Sequence, residues 1–476
     1  MNKSVSRNFT LQDQLDFAAL SGDFNPVHID PLYARRTIFG KAVVRGVHLL
    51  MWGLESFLSA ENFDSIRITN IRADFWKAIG LNEYVVCTWE HTSTGKIILQ
   101  ISSDNILYVK CSFTLSHHDK CFDNNKNNYE MEDTYKLQNY IELKPSEITE
   151  NKGNLQLKLN YKLLKNLFPK IFVFVPIWQT ATILGTTRLV GMECPGLHSI
   201  FSRLKITFGS EPVFECQWQA ESFDKTTKML NMTLSSGNSI SGEIIAFHRG
   251  MPVKQISFND AQKLVVPDEF AKERVLVIGG SRGLGEVTAK LFSAGGAEVI
   301  LTYAKGKDDA EKIVQEISEQ GGKISCRHFD ITSSNTATLI ESNEKIPTIM
   351  CYFATPFIFS ATQNKFSEQL FNQFCKYYIT NFYHIAQYLI AFGTTKIFYP
   401  SSTAIDEIPS NMCEYASAKI AGELLCRFIE QSHSNVIVQS FRFPRMETDQ
   451  TQTLTTIENI PPAGICLEQI RLLCLK

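Results

Sequence analysis

The 476-residue chain has no long apolar run, no marked charge imbalance and no cysteine spacing of a metal site. Its longest purely apolar stretch, IFVFVPIW at 171–178, is far shorter than the roughly 18 residues that span a bilayer, and the start, MNKSVSRNFT, lacks the apolar core of a signal peptide. Lys plus Arg number 47 against 49 Asp plus Glu, a formal charge of −2, which argues against a nucleic-acid binder or a polybasic membrane-surface protein. The twelve cysteines form no C-x-x-C and no His-paired spacing, so we expect buried reduced thiols and no metal. These absences favour a cytoplasmic protein, and at roughly 150 residues per domain the length suggests about three domains.

The residue composition and pattern of the chain change at two places, the polar stretch 117–136 and the segment 250–274. From Arg274 onward, short aliphatic segments alternate with helical patterns, which predicts an α/β, doubly wound (Rossmann) parallel sheet. Earlier in the chain, an apolar helical pattern over 44–60 precedes strands of alternating character, and a similar order recurs after residue 150. We therefore divide the chain into 1–120, 130–258 and 268–476.

The most specific signal of the first part is LDFAALSGDFNPVHIDPLYA at 15–34. Asp23 and His28 bracket Asn25-Pro26, and the proline stiffens this segment as a non-helical loop. A carboxylate and an imidazole on one rigid loop can share a water molecule and divide general-base and general-acid duties. The alternative is structural: Asp23 caps a turn and His28 is a hydrogen-bonded polar side chain.

The string S-G-D-x-N-P-V-H, with Ala34 after it, resembles the signature of MaoC-like, (R)-specific enoyl-CoA hydratases over roughly residues 8–115. That resemblance implies an α+β hotdog fold and reversible addition of water to a trans-2-enoyl thioester, with Asp23 and His28 holding the water. Family members carry a His-Gly pair at the start of the central helix, where the glycine N–H polarises the thioester carbonyl. Here the pair is Arg45-Gly46, so the backbone donor of Gly46 is retained while acyl or carrier preference is expected to differ.

The middle segment resembles the non-catalytic half of a double hotdog, on the string TRLVGMECPGLHSIFSRLKITF at 187–208. A second hotdog would cover the open sheet edge of the first. No S-G-D-x-N-P-x-H occurs in this segment. We assign it no chemistry, and we expect a structural role for His198.

A glycine-rich loop follows the strand that begins at Arg274, with glycines at 279, 283 and 285. Glycines at these positions allow a tight turn and a close approach of the backbone to a pyrophosphate at a helix N-terminus. The spacing G-x-x-x-G-x-G resembles the short-chain dehydrogenase/reductase family. The resemblance implies cofactor contacts along the whole loop, from Gly279 through Ser281, Arg282, Gly283, Leu284 and Gly285.

The catalytic motif Y-x-x-x-K occurs four times, but only Tyr415 and Lys419 follow the fifth predicted strand, with Ser402 thirteen residues before the tyrosine. Residues four apart share a helix face, so we expect the charge of Lys419 to lower the pKa of Tyr415. By resemblance, Tyr415 donates the proton, Ser402 orients the carbonyl, Lys419 also holds the nicotinamide ribose, and Asn381 supports a proton relay.

The cofactor is predicted to be NADP(H) rather than NAD. No carboxylate follows the strand AEVILTY, where Lys305 stands instead, and Arg282 lies in the glycine loop, so two cations are available for a 2′-phosphate. By resemblance, Asp330 contacts adenine, Ala354 lines the cofactor site, and Thr448 serves the cofactor phosphate. Two family elements are altered, to Tyr352-Phe353-Ala354-Thr355 and to Pro444-Arg445.

The leading hypothesis is a bifunctional enzyme that reduces a 3-ketoacyl thioester with NADPH and interconverts the 3-hydroxyacyl and trans-2-enoyl thioesters. The substrate would be an acyl thioester of coenzyme A or acyl carrier protein, without nucleic acid or membrane as partner, and a homo-oligomer through the reductase domain is a further hypothesis. One alternative is the degradative direction, which the NADPH preference opposes. The other is a working hydratase carrying an inactive, cofactor-binding scaffold.

Overall fold

A computed structural model of the chain describes residues 3–61, 63, 65–104, 106–117, 129, 131, 133–137, 139–341, 344–361, 363–455 and 457–475. The chain divides into two compact units, Met1–Met251 with Thr453–Ile457, and Pro252–Gln452 with Glu458–Lys476. No helix within the described ranges is both long enough and apolar enough to cross a membrane. The predicted domain limits at 120 and 130 fall outside the described residues, and the division into three domains stays a prediction.

The first unit is built on one antiparallel sheet. In the described ranges its strands are β1 (Lys3–Asn8), β2 (Ile66–Phe75), β3 (Tyr84–His91), β4 (Ile97–Ser103), β5 (Ile106–His117), β6 (Lys152–Gln156), β7 (Ser199–Phe208), β8 (Glu215–Asp224), β9 (Met229–Ser236) and β10 (Ile240–His248). Their order is β1-β3-β4-β5-β2-β7-β10-β9-β8-β6. From its outer edge inwards, each half therefore has the same strand order, β1-β3-β4-β5-β2 and β6-β8-β9-β10-β7, and the two halves join where β2 pairs with β7.

One long helix packs on each half of this sheet. The helices of the first unit are α1 (Leu11–Ser21), α2 (Pro26–Ile29), α3 (Pro31–Ala34), α4 (Gly46–Ala60), α5 (Tyr161–Leu167), α6 (Pro169–Phe174) and α7 (Ile177–Arg188), which continues as a π-helical turn, Leu189–Glu193. Most residues of α4 and nearly all of α7 are buried, and both helices contribute to one continuous hydrophobic core.

The second unit is a parallel sheet with helices on both faces. Its described strands are β11 (Arg274–Ile278), β12 (Glu298–Tyr303), β13 (Lys323–His328), β14 (Ile349–Tyr352), β15 (Lys396–Ser402) and β16 (Ile437–Phe443), in the order β13-β12-β11-β14-β15-β16. The main helices are α8 (Phe258–Leu264), α9 (Gly283–Ala294), α10 (Lys307–Ser318), α11 (Glu368–Cys375), α12 (Phe382–Phe392), α13 (Ala404–Glu407), α14 (Cys413–Ser432) and α15 (Pro462–Leu475). Two separate apolar clusters lie on the two faces of the sheet, as expected when crossovers place helices on both sides. The predicted fold class is confirmed.

Candidate active sites

Local sequence makes the Asp23–His28 loop rigid. Gly22 ends α1 in the left-handed conformation, with φ +79°, so the chain turns sharply just before Asp23. Asn25 caps α2 by accepting from the Val27 N–H, and Pro26 occupies the first helical position. A second Asx cap, Asp30 with Pro31 after it, begins α3. The expectation of a non-helical loop through His28 is wrong: the non-helical part ends at Asn25, because Pro26 fits the first position of a helix, and His28 lies in α2.

The carboxylate of Asp23 is fully buried and well supplied with donors. Its Oδ2 accepts from Arg45 Nε at 3.2 Å and from the Thr187 hydroxyl at 2.7 Å, while its Oδ1 accepts from the Asn25 N–H at 3.1 Å. A carboxylate with three donors, one of which is a guanidinium, is compensated for burial in its charged form. This arrangement is consistent with a carboxylate positioned for acid-base catalysis. It is equally consistent with the structural alternative, in which Asp23 caps a turn.

Arg45, which replaces the family histidine, is fully buried at 0% side-chain exposure. Its Nη1 donates to the carbonyl and the side-chain oxygen of Gln14, and its Nη2 donates to the carbonyl of Asp23. Gln14 also donates to Nδ1 of His48 at 3.0 Å. The arginine therefore connects the Asp23 loop to helix α4 through bonded polar groups, each nitrogen of the guanidinium having a partner.

His28 is oriented by the backbone of the first half. Its Nδ1 lies 2.7 Å from the Val43 carbonyl, which can only accept, so Nδ1 carries the proton and the lone pair of Nε2 is available. Burial lowers the pKa of His28 to about 3, reinforced by the positive charge of Arg45 and opposed by Asp23. The imidazole is therefore neutral near pH 7, and it can accept a proton at Nε2.

Gly46 is the first residue of α4, as the expected oxyanion donor requires. The first N–H groups of a helix lack intrahelical acceptors and lie at the positive end of its dipole. A Cβ at this position would lie 2.7 Å from Cδ1 of Phe75, so the position has no room for a side chain. The structure thus provides a helix N-terminus beside the loop that holds Asp23.

The second half of the sheet also contributes to this site, which the sequence did not indicate. Thr187 in α7 donates to Asp23, and Asn25 Nδ2 donates to the carbonyls of Gly191 and Leu197 at 3.0 and 3.1 Å. A Cβ on Gly191 would lie 2.4 Å from Oδ1 of Asp23. No motif marks these positions, because their role depends on the packing of one half on the other. His198 is buried, and its Nε2 lies 2.9 Å from Glu142.

The glycine loop of the second unit has the conformation that its spacing predicts. Gly279 and Gly283 have φ +80° and +58°, and a Cβ on Gly279 would lie 2.8 Å from the Ala354 nitrogen. A Cβ on Gly285 would lie 2.4 Å from the Gly279 carbonyl oxygen. Gly283 begins α9 and faces Thr448, because a Cβ on Gly283 would lie 3.7 Å from Cγ2 of Thr448. The glycines therefore allow a tight backbone turn at a helix N-terminus, which fits a dinucleotide phosphate.

The structure places the remaining predicted cofactor residues after β12, after β13 and in the glycine loop. Lys305 is exposed just after β12, and Arg282 Nη1 lies 4.0 Å from Oδ2 of Asp449. Asp330 follows β13 and accepts from the N–H and hydroxyl of Thr332. Ser281 is buried in the loop, and Leu284 is partly buried in the first turn of α9. Lys305 is thus exposed, whereas Arg282 lies at the limit of ion-pair distance from a carboxylate.

Tyr415 and Ser402 are brought together. Tyr415 lies in the first turn of α14, Ser402 ends β15, and the two side chains are hydrogen-bonded. Lys419 lies one turn further along α14, with Nζ 5.9 Å from the Tyr415 ring centre. Asn381 ends the π-helical turn Lys376–Asn381 directly before α12.

The expected lowering of the Tyr415 pKa by Lys419 is wrong for this structure. Burial raises the pKa of Tyr415 to about 12, and only the bond with Ser402 opposes that shift. The lysine ammonium is directed elsewhere: it donates to the Pro400 carbonyl at 2.6 Å and lies 4.0 Å from the ring centre of Tyr378. Burial also lowers the pKa of Lys419 to about 7, so its charge is itself weakened near neutral pH.

Comparison with known proteins gives two family matches. The family described as MaoC like domain matches residues 1–106, and the family described as short chain dehydrogenase matches residues 273–459. The chain is 44% identical over 45 residues to the (R)-specific enoyl-CoA hydratase of Aeromonas caviae, covering 10% of this chain and 34% of that protein. It is 45% identical over 47 residues to the cyclic-di-GMP-binding biofilm dispersal mediator protein of Escherichia coli (strain K12), covering 10% of this chain and 20% of that protein.

These curated relatives are matched over at most about a third of their own length. Among solved structures, the angucycline C-6 ketoreductase LanV with bound NADP is similar with a TM-score of 0.39 and 18% identity, covering 43% of this chain and 90% of that chain. The chain is thus identified by its domains: it carries a MaoC-like domain in its N-terminal part and a short-chain dehydrogenase domain in its C-terminal part.

Proposed function

We propose that the chain is a bifunctional acyl-thioester enzyme that reduces a 3-ketoacyl thioester with NADPH and dehydrates the resulting (R)-3-hydroxyacyl thioester to the trans-2-enoyl thioester. The carrier is coenzyme A or acyl carrier protein. The observation that carries the hydratase half is the buried, fully bonded Asp23 on one rigid loop with a neutral His28 whose Nε2 is free.

In the hydration direction, Asp23 and His28 hold a water molecule between them. His28 takes one proton at Nε2 while the hydroxyl adds to the β-carbon, and that proton is then delivered to the α-carbon, so all atoms of water are added across the double bond. Gly46 N–H stabilises the negative charge that develops on the thioester oxygen. Dehydration runs the same steps in reverse.

In the reductase half, NADP(H) would be held by the glycine loop, with Arg282 and Lys305 towards its 2′-phosphate. When bound, the cofactor supplies the hydride. Tyr415 then donates its phenolic proton to the carbonyl oxygen, and Ser402 orients that carbonyl through the hydrogen bond it shares with the tyrosine.

Incubation of the full chain with NADPH and a short 3-ketoacyl thioester, followed by mass analysis, tests both halves. We expect the enoyl thioester to form. Asp23→Asn should abolish hydration and leave ketone reduction intact, while Asp16→Asn, on α1, serves as the matched control. Equal loss of both activities in a folded Asp23→Asn variant would contradict two separate sites.

A second candidate function is a hydratase with a reductase-like scaffold that binds the cofactor without turnover. It is favoured by the Lys419 ammonium, which is directed at Pro400 and Tyr378, and by the raised pKa of Tyr415. NADPH binding without consumption would support this candidate. Loss of reduction in Tyr415→Phe, with activity retained in Tyr388→Phe on α12, would favour the bifunctional enzyme instead.

A further inference from the structure

Two arginines are the largest side chains that are fully buried, and they differ in how they are satisfied. Every nitrogen of the Arg45 guanidinium has a bonding partner, and Arg45 pairs with Asp23. Arg249, which directly follows β10, is 0% exposed, yet its Nε and Nη1 have no hydrogen-bond partner. No carboxylate of the described residues lies within ion-pair distance of it.

The one nitrogen of Arg249 that is hydrogen-bonded contacts residues next to the Asp23–His28 segment. Its Nη2 donates to the Tyr33 hydroxyl at 2.9 Å and to the Leu197 carbonyl at 2.7 Å. Tyr33 lies five residues after His28, and the Leu197 carbonyl also accepts from Asn25. The Leu197 carbonyl therefore connects Arg249 to Asn25, whose own N–H is bonded to Asp23, and the positive charge of Arg249 also contributes to the lowered pKa of His28.

Nearby groups do not neutralise this cation. Glu142 is the carboxylate that acts on the same neighbours, Tyr33 and His198, but its Oε1 is bonded to His198 Nε2 at 2.9 Å. His198 and His248 are buried, and burial lowers the pKa of both, so both imidazoles are neutral near pH 7 and do not compensate the arginine. A buried guanidinium with three unbonded N–H groups is costly unless an anion reaches it.

We propose that Arg249 binds a carboxylate on the acyl group, so that the hydratase site prefers a trans-2-enoyl thioester with a second, anionic end. This inference rests on the proposed hydratase function of the Asp23–His28 loop. A carboxylate is favoured over a carrier phosphate because Arg249 lies beside the reacting pair, whereas the phosphates of the carrier are separated from the thioester by the whole pantetheine arm. Guanidinium groups bind carboxylates with charge-assisted hydrogen bonds.

The test compares hydration of glutaconyl and trans-2-pentenoyl thioesters, which differ in a terminal carboxylate against a methyl group. We expect kcat/KM to favour the glutaconyl substrate by about 10- to 100-fold, the range of a hydrogen bond to a charged group. Arg249→Met should remove this preference, because kcat/KM should fall further on the glutaconyl thioester than on the pentenoyl thioester. Arg72→Met, which removes a charge from the exposed part of β2, should keep the preference.

Two further measurements distinguish a carboxylate site from a carrier-phosphate site and from a structural arginine. With N-acetylcysteamine thioesters, which carry no phosphate, the preference should persist; a loss in Arg249→Met that occurs with coenzyme A thioesters and is absent with N-acetylcysteamine thioesters would assign Arg249 to the carrier phosphate and overturn the proposal. Equal loss on both substrates in folded Arg249→Met would assign it a purely structural role. Where the Met variant does not fold, Arg249→Lys keeps the charge with fewer donors, and it should show a reduced preference.

A binding measurement distinguishes failure of the carboxylate site from failure of the proposed hydratase activity. Titration of the saturated glutaryl and pentanoyl thioesters into the native chain requires no turnover. Tighter binding of the glutaryl thioester, lost in Arg249→Met, would support the carboxylate site even if no enoyl thioester is hydrated. Equal binding of the two by the native chain would overturn the proposal.

Discussion

Replacement of Thr187 by valine isolates what the second half of the first unit contributes to the hydratase site. Valine has nearly the shape of threonine, so Thr187→Val removes the hydroxyl and leaves the packing of α7 in place. Oδ2 of Asp23 then loses its 2.7 Å donor and keeps only Arg45 Nε at 3.2 Å. The perturbation therefore acts on one buried carboxylate oxygen.

The expected magnitude follows from that bond. A hydrogen bond to a charged group contributes about 1.5–3 kcal/mol, and about 1.4 kcal/mol of transition-state stabilisation corresponds to a tenfold rate. If Asp23 holds the reacting water, we expect kcat for enoyl-thioester hydration to fall by about 10- to 100-fold. Ketone reduction, which uses the second unit, should be unchanged.

The chain offers a matched control in the same helix. Thr182 is equally buried, and its hydroxyl donates to the Trp178 carbonyl at 2.7 Å rather than to the site. Both valine variants are measured by hydration kinetics and by thermal unfolding. An unchanged kcat in Thr187→Val, or an equal loss in Thr182→Val, would refute the assignment of Thr187 as a residue that positions Asp23.

Three other predictions address the two sites. Gly191→Ala places a Cβ 2.4 Å from Oδ1 of Asp23, so hydration kcat/KM should fall at least as far as in the threonine variant; an unchanged value would contradict the tight contact. Gly279→Ala should weaken NADPH binding in a fluorescence titration, whereas Gly321→Ala, with a similar φ of +83° but open space around it, should not. Because the pKa of His28 is lowered from 6.5 to about 3, the unfolded chain binds more protons between these values, and stability should decrease as pH falls from 6.5 towards 3. Urea unfolding at pH 7 and pH 5 should show a smaller loss for His28→Gln than for the native chain, and equal losses would contradict the shift.

The features that could be predicted from the sequence are those that depend on residues close together in the chain. Gly22 and Pro26 restrict the backbone around Asp23, and the glycines at 279 and 283 occupy conformations that other residues rarely adopt. These signals lie within a few residues of the groups they position. The strand pattern after Arg274 is likewise local, and the parallel sheet followed from it.

The sequence could not predict contacts made by distant segments. Thr187 lies 164 residues from Asp23, and nothing in its surroundings distinguishes it from the buried Thr182. The pKa of Tyr415 was expected to fall because Lys419 lies one turn away, yet its burial raised it. Helical spacing places two residues on one face, but the acceptor that an ammonium finds depends on residues elsewhere, here the Pro400 carbonyl.

The second half of the first unit has the same strand order as the first half but lacks the Asp-His pair, so its contribution to the site must come from other residues. Covering an open sheet edge would require only the strand β7 to pair with β2. The second half does more, because α7 and the turn after it provide a donor to Asp23, acceptors for Asn25 and a position that only glycine can occupy. It also supplies Arg249, whose Nη2 donates to Tyr33 and whose Nε and Nη1 have no hydrogen-bond partner. A pairing role alone would leave these buried positions free to vary, so Thr187→Val and Arg249→Met, which preserve the sheet, distinguish an edge cover from a second wall of the active site.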